Sequence, residues 1–82
     1  MKKYEELQNL IERADQLIRL QATGNSREFA DTLGISRASV YRLLEYMKTL
    51  GAPIKFNKYQ KTYYYEYPVK IKITCVMVYL EG

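Results

Sequence analysis

Nine residues lie between Ser26 and Ser36, and each serine stands where a helix can begin. A serine hydroxyl in that position accepts from a backbone N–H that the first helical turn leaves unpaired. Between the two, Phe29, Ala30 and Leu33 fall at helical spacing and give a short helix one buried side. Gly34 closes it, since glycine takes the left-handed backbone of a helix end without steric cost. Ile35 is an apolar residue in the turn, and Ser36 starts the next helix at once. So short a connection restricts how the two helices can cross, and the rest of the chain has to fold around that pair.

The next helix carries Val40, Leu43, Leu44, Met47 and Leu50 at helical spacing. At about 100° per residue these form a single stripe, which has to face a core. Arg37, Ala38, Tyr41, Arg42, Glu45, Lys48 and Thr49 are left on the other side. Gly51 stops this helix, and Pro53 prevents it from restarting. Ahead of the pair, Tyr4, Leu7, Leu10, Ile11, Ala14, Leu17 and Ile18 mark the apolar face of a longer helix, from about Lys3 to Leu20. Gln8, Glu12, Asp15 and Arg19 fall mostly on its wet side, and Thr23-Gly24-Asn25 supplies residues able to take a left-handed cap.

After Pro53 the apolar residues alternate. Ile54–Asn57 reads as a short strand, Lys58–Lys61 as a polar turn, and Thr62–Tyr67 as a β-branched and aromatic strand, together a hairpin. The Tyr63, Tyr65 and Tyr67 stripe is read as packing for that hairpin. Pro68 breaks the strand or places it at an edge. Residues 69–80 read as a further strand: Val69, Ile71 and Ile73 alternate with polar residues, and from Cys75 to Leu80 both faces are apolar. A strand of that kind has to be covered on both faces or pair with another chain. It is expected to pack on the first helix or to form a homodimer contact. The fold expected is α+β, one domain over residues 1–82, with a three-helix helix-turn-helix core (the unit itself over 26–50), a hairpin over 54–67 and an extra C-terminal strand.

The net charge is +4, and all of the excess sits in the middle of the chain. Residues 26–61 hold seven Lys and Arg against Glu28, Asp31 and Glu45, whereas residues 1–25 and 62–82 are each balanced. A basic excess confined to one segment is the footprint of a nucleic-acid site. The chain has no histidine and a single cysteine, Cys75. That leaves no Cys/His zinc site, no Ser-His-Asp triad and no internal disulfide, and neither a glycine-rich phosphate loop nor a carboxylate pair in a cleft is visible. An enzyme is therefore not expected, and no cofactor. Cys75 reads as a small apolar residue in a reducing cytoplasm. No apolar run approaches a membrane span.

Residues 26–67 resemble the winged helix-turn-helix domains of DeoR-like bacterial transcription regulators. The resemblance rests on Ser26-Arg27-Glu28-Phe29-Ala30-Asp31-Thr32-Leu33-Gly34-Ile35-Ser36-Arg37-Ala38-Ser39-Val40-Tyr41-Arg42, and on Leu50-Gly51-Ala52-Pro53-Ile54 leading to Tyr63-Tyr64-Tyr65. It covers about half the chain. It implies a hairpin acting as the wing, double-stranded DNA as partner, and a small cytoplasmic regulator. Two positions depart from the pattern. Ala38 stands where relatives often carry a second basic residue, and Leu43 where they carry an aspartate. Relatives commonly add an effector domain, for which 82 residues leave no space.

On this reading the start of the third helix enters the major groove, where its first residues reach deepest. Ser36 and Ser39 are candidate partners for phosphate or base edges, beside Ala38. Arg37 or Arg42 matches a guanine in bidentate fashion. Tyr41 is set to donate to a phosphate or touch a thymine methyl, or else to fold onto the domain surface. Arg27 is placed to grip the backbone, and Lys58 and Lys61 at the hairpin tip to reach phosphates. A homodimer would suit a palindromic operator. The alternative is a winged-helix module that docks on protein or binds RNA, with the apolar C-terminal segment as its docking surface.

Overall fold

The computed structural model describes residues 2–69, with side chains from Glu5 onward. Three helices, α1 (Lys2–Arg19), α2 (Ser26–Leu33) and α3 (Arg37–Thr49), precede two strands, β1 (Ile54–Asn57) and β2 (Thr62–Tyr65). The strands pair antiparallel, with Ile54 opposite Tyr65 and Asn57 opposite Thr62. The class is α+β. Of the expected strand over residues 69–80, all but Val69 lies outside the described residues, as does the side chain of Tyr4.

One apolar core joins the helices. Ile11, Ala14 and Ile18 come from α1, Phe29, Ala30 and Leu33 from α2, and Val40, Leu43, Leu44 and Met47 from α3. Ala52 and Ile54 close it from the chain entering the hairpin. The stripes read from helical spacing therefore face this core, with Leu10 and Leu17 partly buried against it and two end residues more open. Leu7 is partly open to solvent. Leu50, the C-cap residue just past the last turn of α3, is 42% exposed although its backbone is still helical.

All three helices end in the same way. A left-handed residue follows the last turn, and the next N–H reaches back five residues: Ala22 to the Leu17 carbonyl, Ile35 to Ala30, Ala52 to Met47. That bond satisfies a carbonyl left over at the helix end. Gly34 and Gly51 take the left-handed position in α2 and α3, with φ of 73° and 101°. In α1 the position falls to Gln21, φ 53°, so the helix stops before Thr23-Gly24-Asn25 and not at it.

The start of α2 also differs from expectation by one residue. Its N-cap is Asn25, not Ser26. The Glu28 N–H donates to Asn25 Oδ1 at 2.9 Å, and the Asn25 N–H donates to Glu28 Oε1 at 3.0 Å. This reciprocal box satisfies two N–H groups at once. A cap at Ser26 would have Phe29 three residues on, with nothing to return. The box also explains Gly24, where a Cβ would come within 2.6 Å of the Glu28 carboxylate. Ser26 is instead buried in the first turn.

The hairpin is fastened to the helices in three places. Tyr63 stacks obliquely on Phe29, with ring centroids 5.8 Å apart, and Phe56 meets Tyr63 edge-on at 4.9 Å. The Tyr65 hydroxyl donates to Asp15 of α1 at 2.6 Å. Burial, and after it this bond and the Asp15 charge, push the Tyr65 phenol well above the ordinary tyrosine range, so it stays a donor at any physiological pH. The third fastening is a buried threonine pair. The Tyr63 N–H donates to Thr23 Oγ1 at 2.9 Å, the Thr23 N–H donates to Thr62 Oγ1 at 3.2 Å, and the two hydroxyl oxygens lie 3.0 Å apart. Thr62→Val keeps the shape but strands the buried Thr23 N–H. The expected loss is about 1–3 kcal/mol in urea unfolding, and a change under about 0.5 kcal/mol would mean that water replaces the bond.

Pairing in β2 stops at Tyr65, two residues short of the strand expected through Tyr67. Its partner strand begins at Ile54, and Pro53 before it has no N–H with which to extend the ladder. Only the Pro53 carbonyl continues, accepting from the Glu66 N–H at 2.8 Å. Tyr63 and Tyr65 are accordingly half-buried, whereas Tyr67 leaves the stripe and faces solvent. No helix among the described residues is long and apolar enough to cross a membrane.

Candidate nucleic-acid interface

The buried stripe of α3 leaves its opposite side open, and that side carries most of the candidate residues. Ser36 is the N-cap of α3, as its spacing suggested. Its Oγ accepts from the Ser39 N–H at 3.1 Å and donates to Ser39 Oγ at 3.0 Å. The Ser36 proton is thus spent within the first turn. Ser39 receives that bond, and its own proton remains to be given outward. Of the two serines, Ser39 is the better partner for an acceptor outside the protein, although it is only half-exposed.

Arg37, Ala38 and Arg42 are all exposed. Five residues along a helix correspond to a rotation of about 140° past full turns, so Arg37 and Arg42 stand on opposite edges of the exposed face. Ala38, Tyr41, Glu45, Lys48 and Thr49 lie between them. The surroundings agree. Arg42 borders α1, beside Leu7 and Leu10. Arg37 lies on the other edge, within electrostatic reach of Tyr41 and of Tyr63 in β2. The small Ala38 between two arginines leaves the helix surface free to approach a partner closely.

Tyr41 takes the second of its two expected roles. The residue is 47% exposed, but its hydroxyl donates to Ser26 Oγ at 2.9 Å and bridges α3 to the start of α2. Ser26 can reverse this bond and donate to a phenolate, and the Arg37 guanidinium lies beside it. Together these hold the Tyr41 phenol below its ordinary range. Donation to a phosphate would require breaking the bridge, which leaves the ring edge as the part of Tyr41 open to contact. Arg27, one residue after Ser26, is exposed in the first turn of α2.

Two ion pairs occur among the described residues, Arg19 with Asp15 and Lys48 with Glu45. Lys48 is therefore partly neutralised on its own helix. Arg27, Arg37, Arg42, Lys55, Lys58 and Lys61 lie outside these pairs. Lys58 and Lys61 sit in the hairpin turn, both exposed. Asn57 shapes that turn, its Oδ1 accepting from the N–H groups of Tyr59 and Gln60 at 2.9 and 3.1 Å. This leaves Tyr59 97% exposed at the tip, a residue that sequence reasoning passed over. The signal was available: Asn57 opens an Asx turn, which aims the next side chains away from the strands. Lys55 was also missed, and it follows from alternation with the buried Ile54.

The structure thus places Ser39, Arg37, Ala38 and Arg42 in the first two turns of α3, ties Tyr41 to α2 beside Arg27, and sets Lys58 and Lys61 apart on the hairpin. Chemically these are exposed cations with few acids among them, a set suited to a polyanion. Comparison of the chain with protein-family models, with curated proteins and with solved structures found no match.

Proposed function

We propose that this chain binds double-stranded DNA as a small winged helix-turn-helix transcription regulator, with α3 as the recognition helix and the β1–β2 hairpin as the wing. The observation that carries the reading is the exposed face of α3, edged by Arg37 and Arg42 and open at Ala38. A helix end of this width fits the major groove, and arginines at its two edges reach base edges or the phosphates on either wall. Ser39 adds a donor in the first turn. Arg27 meets the backbone from α2, and Lys58 and Lys61 meet it from the wing. Arg37 and Arg42 also set the expectation for specificity, since each is able to pair bidentately with a guanine.

The apolar surface between α1 and α3 favours a second reading, a protein-docking module. RNA is separated from DNA by shape: the deep, narrow major groove of an RNA duplex does not admit a helix. Competition between labelled duplex DNA and unlabelled duplex RNA of the same sequence tests the proposal. DNA is expected to compete at least about tenfold better, and equal competition would remove the major-groove mode.

A further inference from the structure

An apolar groove runs between the first half of α1 and α3. Leu7, Leu10, Leu43 and Tyr46 wall it, Ser39 and Arg42 stand at its rim, and its volume is about 270 Å³. Leu7 and Tyr46 remain 37% and 40% exposed there. We propose that the chain covers this groove itself, with residues 70–80.

Three observations favour that occupant. The first is composition. Between Ile73 and Leu80 the sequence is Ile-Thr-Cys-Val-Met-Val-Tyr-Leu, without a charge. A segment that is apolar on both sides needs cover, and the groove is apolar surface that needs covering. The second is the point from which the segment departs. The end of β2 is held against the last turns of α1, by Tyr65 on Asp15 and by the Arg19 guanidinium 5.4 Å from the Tyr65 ring. Pro68 follows beside Ile18, Arg19 and Gln21. The third is reach. Leu7 lies eight residues before Asp15, about 12 Å along the helix axis. Eleven extended residues span about 36 Å, more than enough to travel back along α1 to the groove.

A second copy of the chain offers the same segment, but the chain's own copy is tethered. A short tether that spans the distance gives an effective concentration on the order of millimolar, which outcompetes a free partner at any lower concentration. The groove is therefore closed within one molecule. The docking reading of the same surface then loses its vacant site.

The chain provides its own probe, because Cys75 is its one cysteine and lies in the segment. In the folded 82-residue chain, reaction of Cys75 with a thiol reagent is expected to be at least about tenfold slower than in the denatured chain. The rate is expected not to change with protein concentration. Leu10→Asp, which puts a charge in the groove, is expected to restore fast reaction. Because that variant also risks unfolding, a second measurement uses Tyr46→Cys at the exposed rim with a short bismaleimide. The expected product joins position 46 to Cys75 within one chain and runs as a monomer under denaturing conditions. Tyr59→Cys at the hairpin tip is expected to give no such product. A Cys75 that reacts as fast as in the denatured chain overturns the proposal. So does a 46–75 product that runs as a dimer, which assigns the groove to a second copy. Protection of Cys75 with no 46–75 product also overturns it, since the segment then packs elsewhere. None of these outcomes depends on whether the protein binds DNA.

Discussion

Phe29→Ala is expected to unfold this protein at temperatures where the wild type is fully folded. Phe29 has no exposed surface and sits where α1, α2 and α3 meet. It also carries the stack through which Tyr63 and Phe56 hold the hairpin. Removing a buried phenyl ring costs about 3–5 kcal/mol, part from lost transfer energy and part from the cavity left behind. A chain of this length has a total stability of about 4–12 kcal/mol, so the loss is a large share of it. In thermal unfolding followed by far-UV circular dichroism, Tm should fall by at least about 12 °C, at about 4–8 °C per kcal/mol. A fall of less than about 5 °C would mean that Tyr63 collapses into the vacated space and that the hairpin is held mainly by Asp15 and the threonine pair.

What the sequence made legible was the periodic part of the molecule. Val40, Leu43, Leu44 and Met47 announce the buried face of α3 by spacing alone, and Gly34 and Gly51 announce where α2 and α3 end. The misreadings lie where two residues compete for one role. Asn25 and Ser26 are both good caps, and what decides between them is Glu28, three residues after the first and two after the second. Gln21 takes a left-handed position that glycine would ordinarily fill, so the end of α1 carried no marker. Thr23 and Thr62 are 39 residues apart and polar, and nothing local distinguishes them from loop threonines. Their pairing exists only once β2 has been laid beside the α1–α2 connection.

The candidate site was legible in the same uneven way. Its residue types and its segment follow from the charge excess and from the position of Ser36. Its internal division does not. Tyr41 and Arg37 are one helical turn apart, and only the arrival of Ser26 from α2 decides that the phenol is a bridge. Likewise, whether Ser36 or Ser39 keeps a proton to give outward depends on which hydroxyl donates to the other.

Arg37→Ala combined with Arg42→Ala is expected to weaken DNA binding strongly while leaving the fold intact. Both side chains are exposed and outside the ion pairs of the described residues, so stability should change by less than about 0.5 kcal/mol. Each arginine is expected to supply about 1.4 kcal/mol, giving a combined loss of about a hundredfold in affinity. Either arginine alone should account for about half of that free energy. They stand on opposite edges of α3, far enough apart for their effects to add.

The measurement that tests DNA binding through α3 most directly is fluorescence anisotropy of a labelled random-sequence duplex across a salt series, with the wild type beside the double variant. Each phosphate neutralised contributes about −0.9 to the slope of log affinity against log salt. The wild type should show a slope of about −3 or steeper, and the double variant should bind more weakly, with a slope shallower by about 1 for each of the two arginines that meets a phosphate on this non-cognate duplex. No binding by the wild type at low salt, or a slope and affinity indifferent to both arginines, would contradict the account.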